Sequence, residues 1–223
     1  MSISVEDILG RHKSPYQLHN FFKKVRTQEI VKDYGTTVQQ TFNAYEEIVD
    51  DLIWALNNVA DDPVRTGFTE FYSRVVHLND DDYYSVIWDI HKAKDIIKTE
   101  KIKVETFSVD ELASSVSEED IDWNYIKENT DESDEPIIVV PYEPIGVWMA
   151  IDGNHRLMKK YKQNPRSTIN AYVLNQSQNV ESMAGNLFRV LYTIHHNVNM
   201  LVTYLAGKDN AVRLVPLDDY VKK

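Results

Sequence analysis

Three stretches of the chain repeat apolar residues at the three- and four-residue spacing of a helix face. The first runs Val38, Phe42, Tyr45, Ile48, Val49, Leu52, Ile53 and Leu56, with Glu46, Glu47, Asp50 and Asp51 beside the stripe. The second, Val86, Ile87, Ile90, Ala93 and Ile97, follows Asp80-Asp81-Asp82, whose carboxylates suit a helix N-terminus. Its spacing predicts a helix that starts near residue 80, so residues 1 to about 100 read as mainly helical. The third, from about Ser177 to Ala206, carries Val180, Met183, Leu187, Val190, Leu191, Ile194, Val198, Leu201, Val202 and Leu205. It predicts one long helix with Gly207 as its C-cap. Stripes this wide are costly to leave in water, so the N-terminal and C-terminal helices are expected to pack on each other or on a second subunit. Asp61-Asp62-Pro63 reads as a break, with proline at a first helical position. Tyr83, Tyr84 and Trp88 stand among acidic residues and read as core or interface aromatics, not as a platform for nucleic-acid bases.

Between these helical regions the pattern changes. Val147-Trp148-Met149-Ala150-Ile151 is an apolar, β-prone run, and Asn154 to Lys162 has helix formers with Leu157, Met158 and Tyr161 at helical spacing. Asp152-Gly153 separates them, and a glycine there can take a positive φ without steric cost. The chain is therefore expected to leave a strand, turn sharply and enter a helix whose first N–H groups point out of the turn. Such helix ends attract anions, and His155 and Arg156 in the first turn add hydrogen-bonding cations suited to phosphate. The plainer alternative is local: Asp152 or Asn154 acts as an N-cap, and Arg156 pairs with Asp152 four residues back.

The surroundings of this box carry a resemblance. Ile102 to Leu112, then Glu135-Pro136-Ile137-Ile138-Val139-Val140, then Asp152-Gly153-Asn154-His155-Arg156, then Ser167 to Leu174 follow one another in the chain. In that order they resemble the parts of the ParB/sulfiredoxin superfamily: an opening strand with a short helix, a second strand, the family's box, and a closing strand. The resemblance covers about residues 101–175 and implies an α+β fold with a small mixed sheet. A helical region over 1–100 and a long C-terminal helix and tail over 176–223 would flank it. The polar spacer Lys127 to Glu135 reads as an exposed loop, not as a metal site, since nothing fixes its carboxylates.

What the resemblance implies about function is bounded by where the chain departs from the family. Sulfiredoxins use a cysteine in the box, whereas this chain has Asn154 there and no cysteine at all, which excludes thiol-based reduction and disulfides. ParB partition proteins bind a nucleoside triphosphate at the box and carry a helix-turn-helix module after it, and no such module is evident beyond Asn175. Relatives with similar boxes include kinases of free serine and proteins described as nucleases. The resemblance thus implies a nucleotide such as ATP or CTP with Mg²⁺, or a phosphorylated small molecule. The activity it implies is that of a phosphotransferase, an NTPase or a nuclease-like hydrolase. Asp152, Gly153, Asn154, His155 and Arg156 would bind the phosphate, and Asp152 would hold or help hold Mg²⁺. Glu105, Asp110 and Glu111 are the carboxylates from which a catalytic base would come, and the sequence does not choose among them. The competing reading is a non-catalytic interaction or scaffold protein with a degenerate site, assembling through its helices.

Composition narrows the partners. The formal charge of −11 opposes broad attraction to a nucleic-acid backbone, although Arg156, Lys159, Lys160, Lys162 and Arg166 form a local basic patch in sequence. No apolar run approaches the roughly 20 residues that span a bilayer, and Glu6 and Asp7 stand where a signal peptide would be apolar, so a cytoplasmic location without membrane contact is expected. His195 and His196 are neighbours on the third stripe and cannot face one metal ion together. No Walker-type loop or His-Glu-x-x-His signature is present.

Overall fold

The computed structural model describes residues 16–27, 35–58, 70–78, 82–116, 121–128, 134–208 and 214–217. In chain order the elements are β1 (Tyr16–Gln17), α1 (His19–Thr27), α2 (Gly35–Asn58), β2 (Phe71–His77), β3 (Tyr83–Asp89), α3 (Ile90–Glu100), β4 (Val104–Ser108) and α4 (Val109–Ala113). They continue with α5 (Trp123–Glu128), β5 (Ile137–Tyr142), a 3-10 turn (Glu143–Ile145), β6 (Val147–Asp152), α6 (Asn154–Gln163), β7 (Thr168–Val173), α7 (Gln176–Ser182) and α8 (Asn186–Leu205). The fold is α+β. It divides into two compact units, one made of residues 1–87 with 183–223 and the other of 88–182.

In the first unit the stripes on α2 and α8 meet as their breadth demands. Phe42, Tyr45 and Val49 of α2 are buried, as are Leu187, Val190, Leu191, Ile194 and Val198 of α8. Asn197, in the α8 stripe, donates to the Tyr45 hydroxyl at 3.2 Å, and exchanges bonds with the Val215 carbonyl at 2.9 Å and the Val215 amide at 2.8 Å. Phe22 of α1 stacks on Phe42 with ring centroids 5.0 Å apart. Most of a three-stranded sheet, of order β1-β3-β2, lies in the same unit, the last two residues of β3 being counted with the second.

Two helix boundaries differ from the sequence expectation. Residues 83–89 form a strand, not the first half of a helix. Tyr84, Val86, Ile87 and Trp88 are all buried, so this is a strand covered on both faces, where an apolar run no longer alternates. The helix begins only at Ile90, where the Asp89 side chain accepts from the Lys92 amide at 3.0 Å and caps it. Helix still predominates among the described residues of 1–100, but β1, β2 and β3 also fall there, which the helical stripes did not predict. The long C-terminal helix is likewise two helices. The backbone leaves the helix after Ser182, the Ala184 amide bonds to the Ile87 carbonyl at 2.8 Å, and α8 starts after an extended Gly185. Gly207, at φ 68, ends α8 as expected. The Asp61-Asp62-Pro63 break lies outside the described residues.

His195 shows what burial does to a titratable group on the α8 stripe. Its Nδ1 lies 2.7 Å from the Tyr84 hydroxyl, and Phe21 and Tyr84 pack edge-on against its ring. Burial, and secondarily the neighbouring His196, lowers its pKa to about 4. The imidazole is thus neutral in the fold but titrates near its ordinary value when unfolded. Its contribution is complete above about pH 6.5 and is lost as pH falls toward 4, costing up to about 3 kcal/mol. Urea unfolding followed between pH 4.5 and 7 should show that slope, and His195→Gln should flatten it.

The second unit is built on a four-stranded mixed sheet of order β4-β7-β5-β6. β5 runs parallel to β7, while β4 and β6 run antiparallel to their neighbours. β4 and β6 therefore point the same way and end at the same end of the sheet. The strands at 137–142 and 147–152 are neighbours, and a helix follows the second, as the order of signals around the box predicts. Val109 and Leu112 of α4 and Leu157 of α6 pack on Ile137, Val139, Ala150, Ile169 and Ala171, covering one face. The opposite face carries Ile138, Val140 and Tyr142, also buried. There Trp88 meets Tyr142 edge-on at 6.2 Å and donates to Asn179 Oδ1 at 2.8 Å, while Asn179 donates to the Pro141 carbonyl at 2.8 Å.

Candidate functional site

Gly153 decides the local shape of the box. It stands between β6 and α6 at φ 84, in the left-handed region, and its carbonyl accepts the first helical bond from the Leu157 amide at 3.0 Å. A Cβ at this position would lie 2.4 Å from Cγ2 of Ile137 and 2.7 Å from Nη2 of Arg156. Glycine is therefore required twice, by the backbone angle and by the close approach of β5. No side chain caps α6. The N-cap expected of Asp152 or Asn154 does not form.

Asp152 departs furthest from the simple pattern. Trp148 and Ala150 face the α4 and α6 cluster, and strict alternation would put Asp152 beside them. The register between β5 and β6 slips by one residue, so that Val139 pairs with Ala150 but Ile138 pairs with Asp152. That slip turns the carboxylate to the opposite face. There Asp152 Oδ2 pairs with Lys94 Nζ of α3 at 3.2 Å. The predicted partner, Arg156, is not the one it takes. Lys94 was missed in the sequence because it lies 58 positions from Asp152, and its only signal is a lysine on a helix preceding the opening strand.

The remaining box residues are engaged differently from one another. The guanidinium of Arg156 folds back over Gly153, and Arg156 Nε and Asn154 Oδ1 are buried with no hydrogen-bond partner among the described residues. His155 Nε2 accepts from the Asp122 amide at 3.2 Å, which ties the box to the start of α5. Lys162 lies over the Trp123 ring at 3.4 Å from its centroid, a cation–π contact that fastens α5 to α6 a second time. The spacer expected to be a loop from Lys127 is helical through Glu128, because Ile126 and Trp123 pack on the buried cluster of Ala113, Ile121 and Met158.

The three candidate bases fall on two elements. Glu105 lies on β4, separated from β6 by β7 and β5, while Asp110 and Glu111 begin α4. Since β4 and β6 end at the same end of the sheet, α4 and α6 start there together, and α4 packs on α6. All three carboxylates are exposed. Among the described residues no group of three or more His, Cys, Asp or Glu is arranged to hold a metal ion. Asp152 could serve Mg²⁺ as one ligand beside phosphate oxygens and water, the usual coordination for a nucleotide-borne magnesium.

No family model, curated protein or solved structure matches this chain. No helix among the described residues is long and apolar enough to cross a membrane.

Proposed function

We propose that the turn at residues 152–156 binds a phosphate-bearing small molecule, a nucleotide being the leading candidate, in the manner that the ParB/sulfiredoxin resemblance implies. One observation carries the reading: α6 begins at a glycine-made turn without a side-chain cap, with the Arg156 guanidinium folded over that turn and its Nε lacking a hydrogen-bond partner among the described residues. An uncapped helix start leaves amide N–H groups and the positive end of the helix dipole for an anion. Arg156 supplies the charge. Asp152, balanced by Lys94, is the carboxylate through which Mg²⁺ would accompany a nucleotide.

Phosphotransfer, NTP hydrolysis or nuclease-like hydrolysis would need a base from the same end of the sheet, and Asp110 and Glu111 follow the strand that ends there. Calorimetric titration with ATP, CTP and GTP, with and without Mg²⁺, tests the binding step. The expected result is saturable binding of at least one nucleotide at or below millimolar concentration. Absence of heat for all three and for inorganic phosphate would leave the scaffold reading in its place, with His155 serving only to dock α5.

A further inference from the structure

The two edges of the four-stranded sheet are finished very differently. On β6 the central residues Met149, Ala150 and Ile151 are buried. On β4 every residue except Phe107 is exposed, and Val104 has 45% of its surface open. Phe107 is held by Trp148 at 5.4 Å between ring centroids, so the strand is anchored on its inner face. Along its outer side no strand pairs with it among the described residues. An edge of this kind presents unpaired backbone donors and acceptors to another strand.

The charges bordering the apolar position select a partner. Lys103 precedes Val104 and Glu105 follows it, and both are exposed. An antiparallel copy of the same segment, centred on Val104, sets Val104 against Val104 and each Lys103 against a Glu105. Opposite charges directly across an antiparallel pair stabilise it, and like charges destabilise it. A two-fold arrangement forms each such pair twice, since an isologous interface repeats every contact. We propose that β4 is a docking edge for a second copy of this chain, paired antiparallel about Val104 with Lys103 of each copy facing Glu105 of the other. The segment is short, so the association is weak and depends on concentration.

Sedimentation equilibrium of the full chain from micromolar to millimolar concentration tests this directly. The wild type should show a monomer–dimer equilibrium. Lys103→Glu sets two glutamates against two others and should raise the dimer Kd about ten-fold or more. Combining it with Glu105→Lys exchanges the charges and should restore the wild-type Kd. Circular dichroism checks that each variant stays folded, which the exposure of both side chains favours. A wild type that stays monomeric throughout overturns the proposal. So does a dimer indifferent to Lys103→Glu, which would point to the helices instead, or a loss that the double exchange does not repair.

Discussion

Gly153→Ala is expected to destabilise the 88–182 unit by about 2–5 kcal/mol, combining backbone strain in the left-handed region with overpacking of a buried site. The added Cβ would stand 2.4 Å from Cγ2 of Ile137. Ile137 is fully buried in the sheet core, so it cannot swing aside. The Arg156 contact is softer, because a guanidinium can move. Urea unfolding followed by tryptophan fluorescence reads the effect, since Trp88, Trp123 and Trp148 all lie in this unit. Gly153→Asn separates the two causes. Asparagine tolerates positive φ but still carries a Cβ, so it should recover little of the loss. Full recovery by asparagine would mean that strain alone, and not the approach of β5, makes glycine necessary.

Arg156→Ala is the second large effect, and it concerns the ligand. Losing a charge-assisted hydrogen bond should weaken phosphate or nucleotide binding by roughly 1.5–3 kcal/mol, about ten- to hundred-fold. The fold should tolerate the change, because the described structure gives Arg156 Nε no hydrogen bond to lose. Lys162→Ala is the matched control. It removes a cation of the same helix, but one committed to the Trp123 ring, and should leave affinity nearly unchanged while loosening α5 slightly. Equal losses from both substitutions would indicate diffuse attraction to the basic patch and would end the case for a specific Arg156 contact. Calorimetry with the nucleotide that binds the wild type gives the comparison.

How much of this was legible in advance depends on how far each residue's partners lie from it in the chain. The strand, glycine turn and helix around Gly153 follow from neighbours within about ten positions: apolar β-formers before, helix formers after, and a residue able to take positive φ between. The stripes of α2 and α8 were equally plain, because a helix face repeats within its own segment. Residues 83–89 misled for the opposite reason. Tyr84, Val86, Ile87 and Trp88 are all buried, and a strand covered on both faces loses the two-residue alternation that marks a strand, leaving an apolar run that fits a helix as well.

The site divides along the same line. By itself the sequence determined that a turn exists at Asp152-Gly153, that glycine occupies it, and that His155 and Arg156 enter the first turn of α6. Which way their side chains are used was decided by tertiary structure. A one-residue slip between β5 and β6 sends Asp152 to Lys94, the Asp122 amide occupies His155, and the approach of Ile137 makes Gly153 irreplaceable. Each of these depends on a partner that the chain brings back only after a strand pairing or a helix docking has formed. Local periodicity specifies the elements because backbone angles and a single apolar face are properties of neighbouring residues. It holds no record of register, and register sets which charges meet.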